Sequence, residues 1–381
     1  MSVKLTNFVK ININHKTRIA NSGTRDTAVV FHYNDQGSVT IERILLTTMP
    51  DVTASGYTYL AGIADYLESF FNNGGKKLYV ISVNALSSTS FNNELEALPM
   101  EYIMVGLAND SNSNEAYAEA DFRVLASAWN TSKNNEKIFQ KIFVAEIPYS
   151  SGITDITTSY EADYEKVVSI ENYVLKYGKL GVGASVLAYY TTLDAFTTDA
   201  TQDYAFTTEV FSDTVTGYVF TDNDIVKKVM DLDLNCDAKL SGQIKNIGGN
   251  DTAGYDLTNQ YMLLLVHQTL TTAVVQTLAS KIKYNDRGIG QVLNAIVREL
   301  NQFVSNGYLS TNKVWTDPDL YYEGYKIIDT NTVLNTGYKV VILPFTKLSN
   351  TEIADHQLPK IYILLADSYS IRKVVIDGEV F

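Results

Sequence analysis

The sequence predicts an α/β fold, and three observations carry that expectation. Short runs of β-branched and aromatic residues alternate with helix-like stretches of 10–16 residues between about residues 27 and 190. The same texture returns after residue 251. At 381 residues, 45% hydrophobic and 19% charged, the chain can bury a sizeable core, and six prolines are too few for general disorder.

The elements follow in chain order. Val9-Lys-Ile11-Asn-Ile13-Asn alternates apolar and polar residues at the period of a half-buried strand. Thr27–Phe31 is a short apolar strand. Residues 60, 63, 67, 70 and 71 place Leu, Ile, Leu, Phe and Phe on one helical face, and Asn72-Asn73-Gly74-Gly75 stops that helix. Strands are expected at Leu78–Val83, Glu101–Leu107 and Lys141–Ile147, with a helix over 115–130. A helix over 161–176 ending at Gly178 and a strand over Val182–Tyr190 complete the first section. Residues 191–235 are rich in Thr, Asp and aromatics and read as a β-rich or irregular insertion. Helices near 256–280 and 287–305 and strands near 338–343 and 360–366 form a second α/β section, and Ile371–Phe381 reads as a terminal strand. The expected organisation is an N-terminal arm (1–20), an α/β domain (21–190), an insertion (191–250), a second α/β domain (251–366) and a C-terminal arm (367–381).

Composition narrows the function. The net charge of −13 opposes binding to a phosphate backbone, and residues 151–260 hold 17 acidic against 7 basic side chains. No apolar run approaches the roughly 20 residues of a membrane span, and the first residues lack the apolar core of a signal peptide. A lone cysteine, Cys236, excludes an internal disulfide, and four scattered histidines disfavour a His-built metal site. A reducing cytoplasm is the expected place of synthesis.

The chemical motifs are all incomplete. Gly178-Lys-Leu-Gly181-Val-Gly183-Ala-Ser185 has its lysine ahead of the glycines, unlike a phosphate-binding loop, and reads as a turn. Ser185 lacks the closing glycine of a hydrolase elbow. His267 lies in an apolar helix and reads as a core or interface residue. Asp231, Asp233 and Asp237 open like a calcium loop without its glycine and glutamate, and Asp317 and Asp319 read as turn residues. No catalytic group, cofactor or metal is expected. Two terminal strand-like segments without an obvious local partner point instead to assembly, since an unpaired edge invites a strand from another chain.

Three passages carry a family resemblance. Tyr59–Val83, with Phe70-Phe-Asn-Asn-Gly-Gly75 and the strand after it, resembles a helix–turn–strand passage of contractile phage tail sheath proteins. Lys281–Val292 running on to Asn306-Gly-Tyr-Leu309 is similar to a helical passage of sheath-like proteins, and His356–Ile363 with Ile371–Phe381 resembles the family's closing strands. The resemblance implies a structural subunit, not an enzyme, stacked as hexameric rings around a tail tube and meeting baseplate and tail terminator proteins. It implies terminal arms that add strands to neighbouring subunits and contraction without ATP that drives the tube through a host envelope. It places the chain in a virion tail assembled in the host bacterial cytoplasm, without direct nucleic-acid or membrane contact. The expected arm residues are Val9, Ile11 and Ile13, with Val374, Ile376, Val380 and Phe381. The expected tube-facing basic cluster is Lys281, Lys283, Arg287 and Arg298. The alternatives are a sheath subunit of a non-phage contractile injection system and a nucleotide-dependent α/β enzyme.

Overall fold

The structure, a computed structural model, describes residues 12–13, 27–33, 42–83, 88–98, 102–108, 126, 128–130, 141–148, 170–179, 181–193, 204–205, 207, 219–221, 223–240 and 242–368. They fall into two compact units. One holds the described residues from 27 to 193 and from 204 to 261, and the other holds 262–368 together with 12–13.

The first unit is organised by an eight-stranded sheet. Its strands are β2 (Thr27–Tyr33), β3 (Glu42–Leu46), β4 (Lys77–Val83), β5 (Met104–Ala108), β6 (Ile142–Pro148), β7 (Tyr173–Gly178), β8 (Asn235–Leu240) and β9 (Gln243–Ile247), in the order β3-β4-β2-β5-β6-β7-β8-β9. The six central strands run parallel, and both outermost strands turn antiparallel. Parallel strands are buried on both faces, which explains why β5 and β7 are buried at every position.

One face of the sheet packs Val29, Phe31, Val105, Leu107, Phe143, Ala145, Tyr173, Leu175 and Tyr177 against Phe91 and Leu95 of helix α2 (Ser88–Ala97) and against Trp129. The opposite face receives α1 (Ala64–Asn72) and α3 (Gly183–Thr192). Gly106 makes room for both: a Cβ there would lie 2.5 Å from Tyr66 Oη and 2.7 Å from Leu187 Cδ1. The Phe-Phe-Asn-Asn-Gly-Gly passage is the end of α1. Gly74 adopts φ +88°, and Gly75, whose amide donates to the Phe70 carbonyl at 3.0 Å, lies under the Phe70 ring where a Cβ would clash at 2.3 Å.

Several expectations change here. Val182–Tyr190 is not a strand but most of α3, and residues 173–176, expected to close a helix, belong to β7. Both segments are buried at nearly every position, so periodicity cannot separate them. The supposed insertion contains helix α4 (Asn223–Asp231) and runs directly into sheet strand β8.

The second unit is built around a narrower sheet. It contains β1 (Asn12–Ile13), most of helix α5 (Leu257–Ala279), α6 (Asp286–Ser305), β10 (Lys313–Val314), β11 (Leu320–Tyr322), β12 (Tyr325–Ile328), β13 (Val333–Leu334), β14 (Tyr338–Ile342), the short helix α7 (Asn350–Ala354) and β15 (Ile361–Leu365). Strands β10–β13 and β11–β12 form two small antiparallel pairs. The composition of α5 is apolar enough and its length great enough to cross a membrane, contrary to the sequence expectation, but 61% of the relevant stretch is buried within the fold. His267 in α5 is buried, as expected for a core histidine; its side chain meets Thr271 at 3.3 Å, and burial depresses its pKa to about 3.

Candidate assembly surfaces

The C-terminal unit supplies the first surface. Strands β14 and β15 pair antiparallel over five residues, from Tyr338 opposite Leu365 to Ile342 opposite Ile361. Beneath them, Tyr362, Leu364 and Ala366 pack with Ile327, Ile328 and Leu334. Tyr338 anchors β14 by donating from its hydroxyl to Asn301 Oδ1 of α6 at 2.7 Å. On the other side of β15, β1 adds a parallel strand of only two residues, Asn12 opposite Tyr362 and Ile13 opposite Ile363. The resulting order is β1-β15-β14, so among the described residues β14 presents its outer edge unpaired.

The arm residues therefore divide. Ile13 lies on β1 beside β15 of its own chain. Val9, Ile11, Val374, Ile376, Val380 and Phe381 lie outside the described residues.

The second surface is α6. Asn285 caps it, its side chain accepting from Gly288 N at 3.0 Å. Ile289, Val292, Ile296, Leu300 and Phe303 bury one face. Gly288 is held against the preceding turn, where a Cβ would stand 2.0 Å from the Lys283 carbonyl oxygen. Lys281, Lys283, Arg287 and Arg298 are all exposed. Arg287 and Arg298, eleven residues apart, share one helical face but are separated by about 16 Å along the axis. With exposed Gln291 and Asn294 between them, the predicted cluster is a stripe rather than a compact patch. Arg298 also donates to the buried Glu299, from Nη2 at 2.7 Å and Nε at 2.9 Å.

The sequence reading missed a buried polar group in the larger unit. Glu146 on β6, Lys176 on β7 and Asp237 on β8 are each no more than 2% exposed. The glycine cluster is the strand-to-helix turn between β7 and α3, with Gly181 at φ +97°. Its amides are filled from within: Glu146 Oε1 accepts from Gly181 N at 3.0 Å and Gly183 N at 2.7 Å, and Oε2 accepts from Gly181 N at 3.1 Å. This turn has the amide-lined form of an anion cradle, but the protein's own carboxylate occupies it. Burial pushes the Glu146 pKa up to about 7, against the opposing effect of the two glycine amides and the charge of Lys176.

Lys176 Nζ lies 3.0 Å from Asp237 Oδ1, and it donates to Ser185 Oγ at 2.9 Å and Tyr204 Oη at 3.0 Å. Ser185 donates in turn to the Val182 carbonyl at 2.7 Å. The signal available in the sequence was a single charge inside each of two apolar strands, Ile142–Ile147 and Tyr173–Tyr177. Cys236 is buried. Asp319, expected in a turn, instead directly precedes β11, accepting from Thr330 N at 2.9 Å and pairing with Lys326 at 3.0 Å. The described residues contain no group of three or more His, Cys, Asp or Glu arranged to hold a metal.

Residues 257–380 match the family described as E217 tail sheath protein gp31-like, C-terminal domain. Over that last third the chain is similar to tail sheath proteins. Two chains of the anti-feeding prophage (AFP) share its fold over nearly the whole length. A chain of the contracted AFP helical sheath aligns with TM-score 0.59 and 13% identity, covering 97% of each chain. A chain of the contracted AFP baseplate aligns with TM-score 0.64 and 14% identity, covering 100% of this chain and 99% of the other. A sheath tail protein from Desulfitobacterium hafniense gives TM-score 0.45 at 8% identity over 82% of this chain and 94% of its own, and carries no weight here. No curated protein matches this chain in sequence. The matched family and the two AFP chains are described as tail sheath, helical sheath and baseplate proteins, and none of them as a nucleotide-dependent enzyme.

Proposed function

We propose that this chain is a contractile sheath subunit that forms hexameric rings stacked around a tail tube, that its terminal arms exchange strands between subunits, and that it contracts without ATP. The observation that carries the reading is the C-terminal sheet. A strand of two residues is a marginal contact, yet β15 offers an edge that accepts it in parallel register. The same edge in a neighbouring copy offers identical pairing, so exchanging β1 between chains replaces each contact with its equivalent and links the copies. The outer edge of β14 is the corresponding acceptor for Val374, Ile376, Val380 and Phe381 of another copy.

Energy for contraction would be stored at assembly as subunit contacts not yet made, with the arms holding while the bodies rotate. The stripe of Arg287 and Arg298, flanked by Lys281 and Lys283, is the proposed tube-facing surface. Baseplate and terminator proteins are the expected end contacts. The likeness to AFP chains favours a contractile injection system as the second reading, beside a virion tail assembled in a bacterial host and used for DNA ejection.

The test uses paired cysteines at Ile13→Cys and Ile363→Cys, which stand opposite one another in register. The only native thiol, Cys236, is buried. Oxidised assemblies run under denaturing, non-reducing conditions are expected to give a ladder of covalent oligomers. Internally bridged monomers alone, recovered from intact tubes, would overturn strand exchange.

A further inference from the structure

We propose that Lys176 and Asp237 are joined by an intramolecular isopeptide bond that closes spontaneously inside the larger unit. Three adjacent strands bring the participants together. Glu146 and Lys176 are register partners on β6 and β7, and Asp237 follows Cys236, the partner of Tyr177, on β8. Tyr177 and Cys236 belong to the apolar core on one face, so their neighbours Lys176 and Asp237 share the other. Lys176 is wholly buried, Asp237 is 2% exposed, and the reacting nitrogen is held 3.0 Å from a carboxylate oxygen.

This placement favours condensation. Holding an amine and a carboxyl group in contact turns a bimolecular reaction into an effectively unimolecular one, and a site closed to water hinders the reverse hydrolysis. Ser185 and Tyr204 fix Nζ, while Gly181 and Gly183 fix Glu146.

The step balances without a co-reactant. A proton passes from Nζ to the Asp237 carboxylate, leaving a neutral amine and a carboxylic acid. The Nζ lone pair attacks Asp237 Cγ and forms the C–N bond. Glu146 accepts a proton from the nitrogen and returns it to the departing hydroxyl, the C–O bond breaks, and one water leaves. The product is an amide that ties β7 to β8 across 61 residues of chain. It does not depend on ring formation or arm exchange.

The test is the intact mass of the full chain under denaturing, reducing conditions, followed by tryptic digestion. The expected mass is that of the sequence less one water, with a branched peptide in which Lys176 escapes cleavage and carries the segment containing Asp237. Asp237→Ala is expected to restore the full mass, and Glu146→Ala to leave most chains unlinked. A wild-type chain at full mass overturns the proposal. So does a deficit that maps elsewhere, such as ring closure at Asp377-Gly378. The branched peptide decides the matter on the wild-type chain even if a variant fails to fold.

Discussion

The two largest sheets of this protein differ in how completely they are closed. The eight-stranded sheet of the larger unit is covered on both faces, and its charges at Glu146, Lys176 and Asp237 are sealed inside. The three-stranded sheet of the C-terminal unit is narrow, ends in an unpaired β14 edge among the described residues, and is completed by a strand of two residues. Depth of burial makes the first sheet resistant to change. Short pairing and an open edge leave the second the more weakly held of the two. In the proposed sheath, the first would transmit force and the second would keep neighbours connected.

The largest expected effect falls on the wide sheet. Phe143 is fully buried, stacks on Trp129 and Tyr173 and meets Phe91 edge-on. Phe143→Ala is expected to cost about 3–5 kcal/mol, read as a lowered denaturant midpoint. A loss below about 1 kcal/mol would mean that this sheet is not the rigid partner in the comparison.

The sealed charges give a pH signature of about 1–3 kcal/mol. Between pH 4.5, its ordinary value, and about 7, folded Glu146 keeps a proton that the unfolded chain has released. Its contribution therefore falls as pH rises through that window. His267 works the other way: the folded chain stays neutral down to about 3 while the unfolded chain protonates near 6.5, so its contribution is lost as pH falls. Unfolding curves of Glu146→Gln and His267→Asn against wild type should differ with these two opposite slopes. Parallel curves would place both groups in ordinary aqueous surroundings.

Gly288→Ala tests how firmly α6 is seated. Its new Cβ would meet the Lys283 carbonyl, and the expected loss is about 1–3 kcal/mol with the helix start displaced. At the narrow sheet, Ile13→Pro removes a strand donor and should change monomer stability by less than about 1 kcal/mol. It should nevertheless abolish tubes seen by electron microscopy, and normal tubes would erase the contrast between the sheets. The smallest effect on the monomer is expected from Arg287→Glu with Arg298→Glu, about 0.5 kcal/mol or less. Tube-templated assembly should fall at the same time, and unchanged assembly would remove α6 from the interface.

Legibility in the sequence followed burial. Strands β2, β4, β5 and β6 and helices α1, α5 and α6 could be read because turn signals bound them or one face is apolar; Gly74 and Gly75 even marked where α1 stops. Helix α3 was misread because its buried residues include nearly every position from Gly183 to Thr191, erasing the 3.6-residue period. The basic residues at the start of α6 and along it were legible in the sequence, spread included, because helical rise and residue number fix their spacing. Glu146, Lys176 and Asp237 were each visible as charges without any sign that they meet.

By itself, the sequence determined the alternation of elements and the turn chemistry at Gly74–Gly75, because these depend on residues close together in the chain. Only the tertiary structure decided that β1 lies beside β15, that a carboxylate from β6 fills the glycine turn before α3, and that Lys176 faces Asp237. Each of those contacts joins residues far apart in sequence. Its existence depends on strand order and register, which local pattern does not encode.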